Sequence, residues 1–189
     1  GSLTFNQYGR ETPMGGINET GLVVHQMMLR KGIYPVPDAR HPIKNLQWIQ
    51  YQLDNFSSVR QVIDSDSNIR IQQEEVPGLH YLVADRSDDC ASLEWISGNF
   101  VWHTGDNMPF NVLANNTYQE SLRYLRQHQG FGGTQLFKEE STRSLDRFSR
   151  AARMVREYPG QPNIPIVPYA FEILTKVAGF NTRWSIVYD

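Results

Sequence analysis

The chain has 189 residues and a formal net charge of −2; 40% of its residues are hydrophobic and 20% are charged. This composition excludes a disordered chain, and the near-neutral charge offers no basic surface for nucleic acid. No stretch reaches the roughly 20 apolar residues that a membrane-spanning helix needs. The first residues lack the basic and apolar regions of a signal peptide, so we expect a cytoplasmic location and no membrane partner.

The first part of the chain predicts two strands separated by a turn. Residues 3–8 have the composition of a short strand, and three glycines within 15–21 favour a turn. The largely apolar run 22–29 has the length of a strand that is covered on both faces. Prolines indicate a loop over 32–42.

Helical periodicity follows this loop. Apolar residues recur at steps of three and four between Leu46 and Phe56, which predicts a helix over 43–56. Serine at 57 or 58 can cap a second helix at 59–63. A short strand is expected at 69–71.

The middle of the chain predicts an antiparallel meander, with strands at 79–84, 91–96 and 100–103 and polar turns between them. Three apolar stripes at helical spacing then predict helices: Tyr118, Leu122 and Leu125; Leu145, Phe148, Ala152 and Val155; and Ala170, Ile173 and Val177. The last residues, 183–189, have the composition of a strand. Strands and helices in separate blocks indicate an α+β fold with layered sheets.

Cys90, the only thiol in the sequence, is a poor candidate for a catalytic nucleophile. A catalytic cysteine needs a cationic neighbour or a helix N-terminus that lowers its pKa. The residues before it, Asp88 and Asp89, act in the opposite direction. We therefore expect Cys90 to have a structural role.

The sequence contains no motif for a metal or a cofactor, and we predict neither. The five histidines form no H-x-H or H-x-x-x-H pair: His25, His41, His80, His103 and His128. The glycine-rich segment 130–133 lacks the lysine and the preceding strand of a phosphate-binding loop, and is typical of a flexible connector.

Asn115 and Asn116 follow the apolar residues 112–114 directly. Amides in such a place can donate hydrogen bonds into a cleft, for example to an oxyanion that develops during a reaction. Asparagine is also common in turns and at helix N-caps, and the spacing alone favours that structural role.

Arg147 lies near the start of the predicted helix that carries Leu145 and Phe148. A cation is unfavourable there because the N-terminus of a helix has a partial positive charge. A surface ion pair would explain the arginine, and a catalytic site is the alternative.

Several segments, in this order, resemble the choloylglycine hydrolase family of bile salt hydrolases, penicillin V acylases and other linear-amide C–N hydrolases. They are FNQYGRE at 5–11, GINETGL at 16–22, LANN at 113–116, DRFSRAA at 146–152 and WSIVYD at 184–189. The resemblance covers essentially the whole chain. The motifs N-E-x-G-L and R-F-x-R-A-A, in this order, are fairly specific.

The resemblance implies the fold of the N-terminal-nucleophile hydrolases, a four-layer αββα sandwich of antiparallel sheets, as one partial domain over 1–189 that is incomplete at both ends. It also implies that an N-terminal cysteine attacks the amide carbonyl of a small-molecule substrate, with its own α-amine as the base. The substrate classes that it implies are conjugated bile acids, penicillin V and other N-acyl amides.

Matched residue by residue, the resemblance implies that Asn115 is the asparagine of the oxyanion hole and that Arg147 is the arginine of the catalytic site. It places Asn116 and Met28 in the substrate site. In bile salt hydrolases an asparagine that shapes the substrate site follows the G-L pair by several residues. The nearest match to it here is Met28, so the resemblance does not support bile-salt specificity.

The N-terminal cysteine that the resemblance implies has no counterpart in this sequence. We therefore expect a fragment of a cysteine amidase that is inactive by itself; the alternative is a non-catalytic binding module that retains the fold. Missing strands would leave unpaired positions in a sheet, so we also expect a homo-oligomer in which a second copy covers the run 22–29.

Overall fold

The structure is a computed structural model that describes residues 1–74, 77–158 and 163–188. Its contacts divide the chain into two compact units, Gly1–Pro109 and a second unit that begins at Phe110. Within the described residues, no helix has both the length and the apolar character that crossing a membrane requires. The single domain expected over 1–189 stays a prediction.

A six-stranded antiparallel sheet forms the centre of the first unit. Its strands, in chain order and in sheet order, are β1 (Ser2–Asn6), β2 (Pro13–Asn18), β3 (Val23–Met28), β6 (Leu79–Ala84), β7 (Cys90–Ile96) and β8 (Asn99–Thr104). Two short strands, β4 (His41–Ile43) and β5 (Ile69–Ile71), pair in parallel outside this sheet. The antiparallel α+β class and the predicted strands of this unit are confirmed, and β4 lies where a loop was predicted.

Two helices cover one face of the sheet, and the hydrophobic core lies between the helices and the sheet. These are α1 (Asn45–Asn55) and α2 (Val59–Asp64), both close to their predicted positions. Ser58 caps α2 by accepting a hydrogen bond from the backbone N–H of Gln61. Trp48 of α1 packs on Tyr81, with ring centroids 4.4 Å apart, and its edge meets Trp95.

The turn expected over 15–21 begins later than predicted, because Gly15 and Gly16 belong to β2. Their missing side chains allow close packing. A Cβ on Gly16 would lie 2.5 Å from the carbonyl oxygen of Leu3 in β1, and one on Gly15 would overlap the ring of His25. The turn itself is centred on Glu19 and Thr20, and Gly21, which closes it, has a φ of +90°.

Strand β3 pairs with β6 over residues 23–28 and with β2 over residues 23–25. The expectation that a second copy pairs with the run 22–29 is therefore wrong for residues 23–25, because both of their neighbouring strands come from this chain. A homo-oligomer remains a prediction from the sequence.

The described residues of the second unit form three helices: α3 (Tyr118–Leu125), α4 (Ser144–Glu157) and α5 (Ile166–Lys176). The stripe Tyr118, Leu122 and Leu125 is buried as predicted. In α4, Phe148 and Ala152 are buried but Val155 is exposed, and Met154 is buried instead. The buried face of α4 is therefore shifted by one residue near the C-terminal end of the helix.

The strand predicted over 183–189 is wrong for Arg183–Tyr188, which have no regular secondary structure, while Asp189 lies outside the described residues. Aromatic and β-branched residues favour a strand only when a neighbouring strand completes the hydrogen bonds. Among the described residues, no strand pairs with this segment.

Candidate active site

Asn115 lies in the second unit, in the segment that leads into α3. Thr117 caps this helix by accepting a hydrogen bond from the backbone N–H of Glu120 (3.2 Å). The carboxylate of Glu120 in turn accepts a hydrogen bond from Nδ2 of Asn116 (3.2 Å). The pattern is a variant of the capping box, and it fixes the backbone directly after Asn115.

The first turn of α4 holds Asn115 at two points. The backbone N–H of Asn115 donates to Oγ of Ser144 (2.7 Å), and Nη2 of Arg147 donates to Oδ1 of Asn115 (2.6 Å). Asn115 and Arg147 are thus in direct contact although 32 residues separate them in the sequence. The side chain of the adjacent Asn116 donates to the carboxylate of Glu120.

A backbone carbonyl fixes the direction of the Arg147 side chain. Nε of Arg147 donates to the carbonyl oxygen of Thr142 (3.1 Å), so the far end of the guanidinium reaches Asn115. Partial burial, and to a lesser extent the nearby charge of Arg150, lower the pKa of Arg147. The group remains a cation at neutral pH because the pKa of arginine starts far above neutrality.

This geometry orients the amide of Asn115. Its oxygen accepts the hydrogen bond from Arg147, so its NH₂ group, which carries the donors, points away from the guanidinium. A cation bound to the amide oxygen also polarises the amide and strengthens its N–H groups as donors. The pair therefore has the chemistry needed to stabilise a negatively charged oxygen.

Asp146, for which the sequence predicted no role, supports the same turn of α4. Its buried carboxylate accepts hydrogen bonds from the hydroxyls of Tyr124 and Ser141, both 2.6 Å long. Burial by itself raises the pKa of Asp146, but these two hydrogen bonds and the nearby Lys138 and Arg143 together hold it below its ordinary value.

Arg150, the second arginine of the R-F-x-R motif, is fully buried and was also not predicted to have a role. It donates to the carbonyl oxygens of Lys138 (2.6 Å) and Lys176 (3.2 Å), the latter at the end of α5. A cation at the C-terminus of a helix is favourable because the terminal carbonyls carry partial negative charge.

Met28 lies in the first unit, at the end of β3, and 42% of its surface is exposed. Its place in the substrate site stays a prediction. The asparagine of the N-E-x-G-L motif, Asn18, has a structural role. Its Nδ2 donates to the carbonyls of Leu53 and Phe56 (2.8 Å each), which ties the β2–β3 turn to the end of α1.

The environment of Cys90 is that of a structural residue. It is the first residue of β7, and its side chain is half-buried. Burial, with smaller contributions from Asp85 and Asp89, raises the pKa of Cys90 to about 12. A thiol with this pKa is protonated at neutral pH and is a poor nucleophile.

The face of the sheet opposite the helices carries buried polar pairs that the sequence spacing did not predict. Nδ1 of His80 lies 3.0 Å from the carboxylate of Glu94, and Oγ of Ser92 lies 3.2 Å from Nδ1 of His103. Only the register of the sheet brings these residues together. In the part of the chain that the structure describes, no group of three or more His, Cys, Asp or Glu side chains could hold a metal ion.

Comparison with solved structures defines the class of protein. The chain matches penicillin V acylase from Agrobacterium tumefaciens with a TM-score of 0.78 and 27% identity, over 96% of this chain and 58% of that one. A variant of conjugated bile acid hydrolase from Clostridium perfringens matches with a TM-score of 0.74 and 22% identity, over 94% of this chain and 62% of that one. The fold is that of these hydrolases, and the predicted fold class is confirmed.

The family model of the linear amide C–N hydrolases, choloylglycine hydrolase family, matches residues 6–166. The chain belongs to this family. It is 29% identical over 191 aligned positions to penicillin V acylase from Pectobacterium atrosepticum, a match that covers 95% of this chain and 50% of the relative. The chain thus spans half the length of this relative and less than two thirds of the solved structures.

Proposed function

We propose that this chain carries the oxyanion-binding asparagine and the active-site arginine of an enzyme that hydrolyses linear C–N amide bonds. The observation that carries the proposal is the 2.6 Å hydrogen bond from Arg147 to the amide oxygen of Asn115. It joins, in one contact, the two residues that the family resemblance matches to catalytic positions.

The oxyanion role rests on the orientation of the Asn115 amide. When a nucleophile attacks an amide carbonyl, negative charge develops on the carbonyl oxygen. An N–H group held in place before the reaction stabilises that charge without having to reorganise, and losing one such donor typically lowers kcat by about 10²–10³-fold. Ser144 and Arg147 hold Asn115 at its backbone and at its side chain, which supplies this preorganisation.

The role of Arg147 rests on its charge in a partly buried position. Its contacts with Thr142 and Asn115 are hydrogen bonds to neutral oxygens. A cation removed from water attracts a developing negative charge more strongly than an exposed one, because water screens it less. Arg147 thus acts on the reacting oxygen both through Asn115 and through its own field.

We propose that none of these 189 residues is the nucleophile. Their only cysteine, Cys90, lies within the chain, and its pKa is raised to about 12. We therefore expect the 189-residue chain to release no amine from an amide substrate. The same observation keeps open the second candidate function, a non-catalytic module that binds the substrate class but does not cleave it.

We propose N-acyl amides with an apolar acyl group, such as penicillin V, as the substrate class. Met28 is exposed at the position where bile salt hydrolases are expected to have asparagine, and a thioether cannot replace the hydrogen bonds of an amide. Conjugated bile acids should therefore be poorer substrates. A cytoplasmic location and self-association remain expectations from the sequence, and sedimentation equilibrium tests the latter.

The test is amine release from penicillin V and from glycine-conjugated bile acids. The 189-residue chain and the protein expressed from its complete reading frame are assayed side by side. We expect no turnover by the chain, turnover by the complete protein, and a preference for penicillin V that decreases in the Met28→Asn variant. Binding without turnover by the complete protein would support the non-catalytic module. Turnover by the chain that Cys90→Ala abolishes would overturn the role given to Cys90.

A further inference from the structure

Four arginines of α4 follow one another at three-residue spacing: Arg147, Arg150, Arg153 and Arg156. Residues three apart are neighbours on a helix surface, so the four form a row that winds slowly around α4. We call them the arginine row. Only Arg147 belongs to the candidate site, and the other three have no part in the proposed chemistry.

Each member of the row contacts the segment 130–142, called the strap here, which runs back along α4 from α3. At the far end, Nη1 of Arg156 donates to the carbonyl oxygen of Gly130 (2.6 Å), and its guanidinium lies 3.6 Å from the ring centroid of Phe131. Gly130 has a φ of +79°, a conformation that glycine adopts without strain. The predicted connector at 130–133 is thus bound to α4.

The middle of the strap is held by two further arginines. Arg153 makes two hydrogen bonds to the carboxylate of Glu139, at 2.7 and 3.1 Å, and its guanidinium lies 4.5 Å from the ring centroid of Phe137. Buried Arg150 donates to the carbonyl oxygen of Lys138 at 2.6 Å.

The near end of the strap reaches the candidate site. The carbonyl oxygen of Thr142 accepts the hydrogen bond from Nε of Arg147, whose Nη2 binds Asn115. The direction of the Arg147 guanidinium therefore depends on where the strap places Thr142. Ser141, the neighbouring strap residue, is bound to Asp146 of the same helical turn.

We propose that Arg150, Arg153 and Arg156 are positioning residues for the Arg147–Asn115 pair, which they affect by holding the strap whose Thr142 carbonyl orients Arg147. The effect of these arginines on catalysis rests on the proposed function, but their effect on the position of Arg147 does not. Arg156 is nine residues from Arg147, about 14 Å along a helix that rises 1.5 Å per residue. Arg156 and Arg147 both contact the strap, which is the link that the proposal assigns to them.

The first measurement is digestion of the folded 189-residue chain with a protease specific for lysine. The chain has four lysines, at positions 31, 44, 138 and 176, and Lys138 is the only one in the strap. Arg156→Gln and Arg153→Gln should speed cleavage at Lys138 by about tenfold, because each removes a charged hydrogen bond that opposes local opening. Cleavage at the other three lysines, and all cleavage in the control Arg123→Gln, should keep the wild-type rate.

The second measurement is made at Arg147 itself, on the Nε–H signal in ¹H–¹⁵N NMR spectra of the same variants. We expect Arg156→Gln to shift this signal and to speed hydrogen exchange of the Arg147 Nε–H by about tenfold, because its hydrogen bond to the Thr142 carbonyl weakens. Arg156→Lys keeps a cation over Phe131 and a donor for Gly130, and should restore most of the wild-type behaviour.

Two results would overturn the proposal. Unchanged cleavage at Lys138 in both variants would mean that the row does not hold the strap. Faster cleavage with an unchanged Arg147 signal would mean that the strap is a structural element without influence on the site. Neither measurement needs a substrate, so both can be interpreted even if the protein hydrolyses no amide. Conversely, a negative result in these two measurements does not contradict the proposed amide hydrolysis.

Discussion

At the scale of single residues, the first turn of α4 shows how buried polar groups fix a site. Ser144, Asp146 and Arg147 each bind a residue outside the helix: Asn115 for the first and last, and Tyr124 and Ser141 for Asp146. Asp146 also lies in the first turn, where a negative charge is favourable. The turn is thereby tied both to α3 and to the segment before α4.

We predict that Asp146→Asn destabilises the second unit by about 1–3 kcal/mol at pH 7, because a neutral amide replaces a buried acceptor of two hydroxyl hydrogen bonds. The pKa of Asp146 is lower in the folded chain than in the unfolded chain. The ionised carboxylate therefore stabilises the folded chain fully above the pKa of the unfolded chain, and this stabilisation is lost as the pH falls through the folded pKa. The difference between wild type and variant, measured by urea unfolding, should therefore shrink below about pH 4. An equal difference at pH 7 and pH 3 would contradict the charged role of Asp146.

At the scale of elements, the packing of β1 against β2 depends on a residue without a side chain. Gly16 lies opposite Thr4 in the register of the two strands, and a Cβ at this position would approach the carbonyl of Leu3 to 2.5 Å and Leu53 of α1 to 3.1 Å. The obstruction on one side is backbone, which cannot rotate away as a side-chain end can.

Gly16→Ala should therefore destabilise the first unit by about 1–3 kcal/mol, the usual cost of overpacking. The matched control is Gly179→Ala, where nothing lies within 4 Å of the added Cβ; it should change stability by less than about 1 kcal/mol. Thermal unfolding followed by circular dichroism measures both. Equal effects of the two substitutions would mean that β1 does not pack on Gly16 in solution.

The elements that sequence patterns predicted well are those that local chemistry determines. The β6–β7–β8 meander and its turn at Ser97 and Gly98, both with positive φ, follow from alternation and turn residues. The error at 15–21 has a different origin. Glycine favours a turn when it is considered alone, but Gly15 and Gly16 are needed here for close approach between strands and to His25, which depends on residues distant in the sequence.

The same limit applies to the candidate site. The family motifs pointed to Asn115 and Arg147, and the structure places the two side chains in contact. Asp146 and Arg150 lie within the DRFSRAA segment, but the sequence predicted no role for either. Their partners, Tyr124, Ser141, Lys138 and Lys176, come from other elements and from the strap. Buried polar residues of this kind become visible only when the tertiary contacts are known.

At the scale of the whole molecule, stability should depend on pH through histidines held in their neutral form. Burial lowers the pKa of His25, and it lowers that of His103 against a smaller opposing effect of Glu94. Both pKa values lie below the ordinary value of 6.5 in the folded chain. The unfolded chain therefore binds more protons than the folded chain as the pH falls below about 6.5.

We predict that the free energy of unfolding, measured with urea and tryptophan fluorescence, is constant between pH 8 and 7 and decreases between about pH 6.5 and 5. His25→Gln should flatten this decrease, while His41→Gln, which changes an exposed histidine, should not. A free energy of unfolding that rises as the pH falls through this range would contradict the burial of neutral histidines.

We propose that Asn115 and Arg147 act as one unit on the reacting carbonyl. A double-mutant cycle on kcat/KM for penicillin V, in the protein expressed from its complete reading frame, tests it most directly. We expect Asn115→Ala and Arg147→Met each to lower kcat/KM by about 10²–10³-fold, and the double variant to lose little more than either one, because groups that act together are not additive. The control pair, Asn115→Ala with Arg123→Met, should be additive. Independent, multiplicative losses for Asn115 and Arg147 would contradict the account.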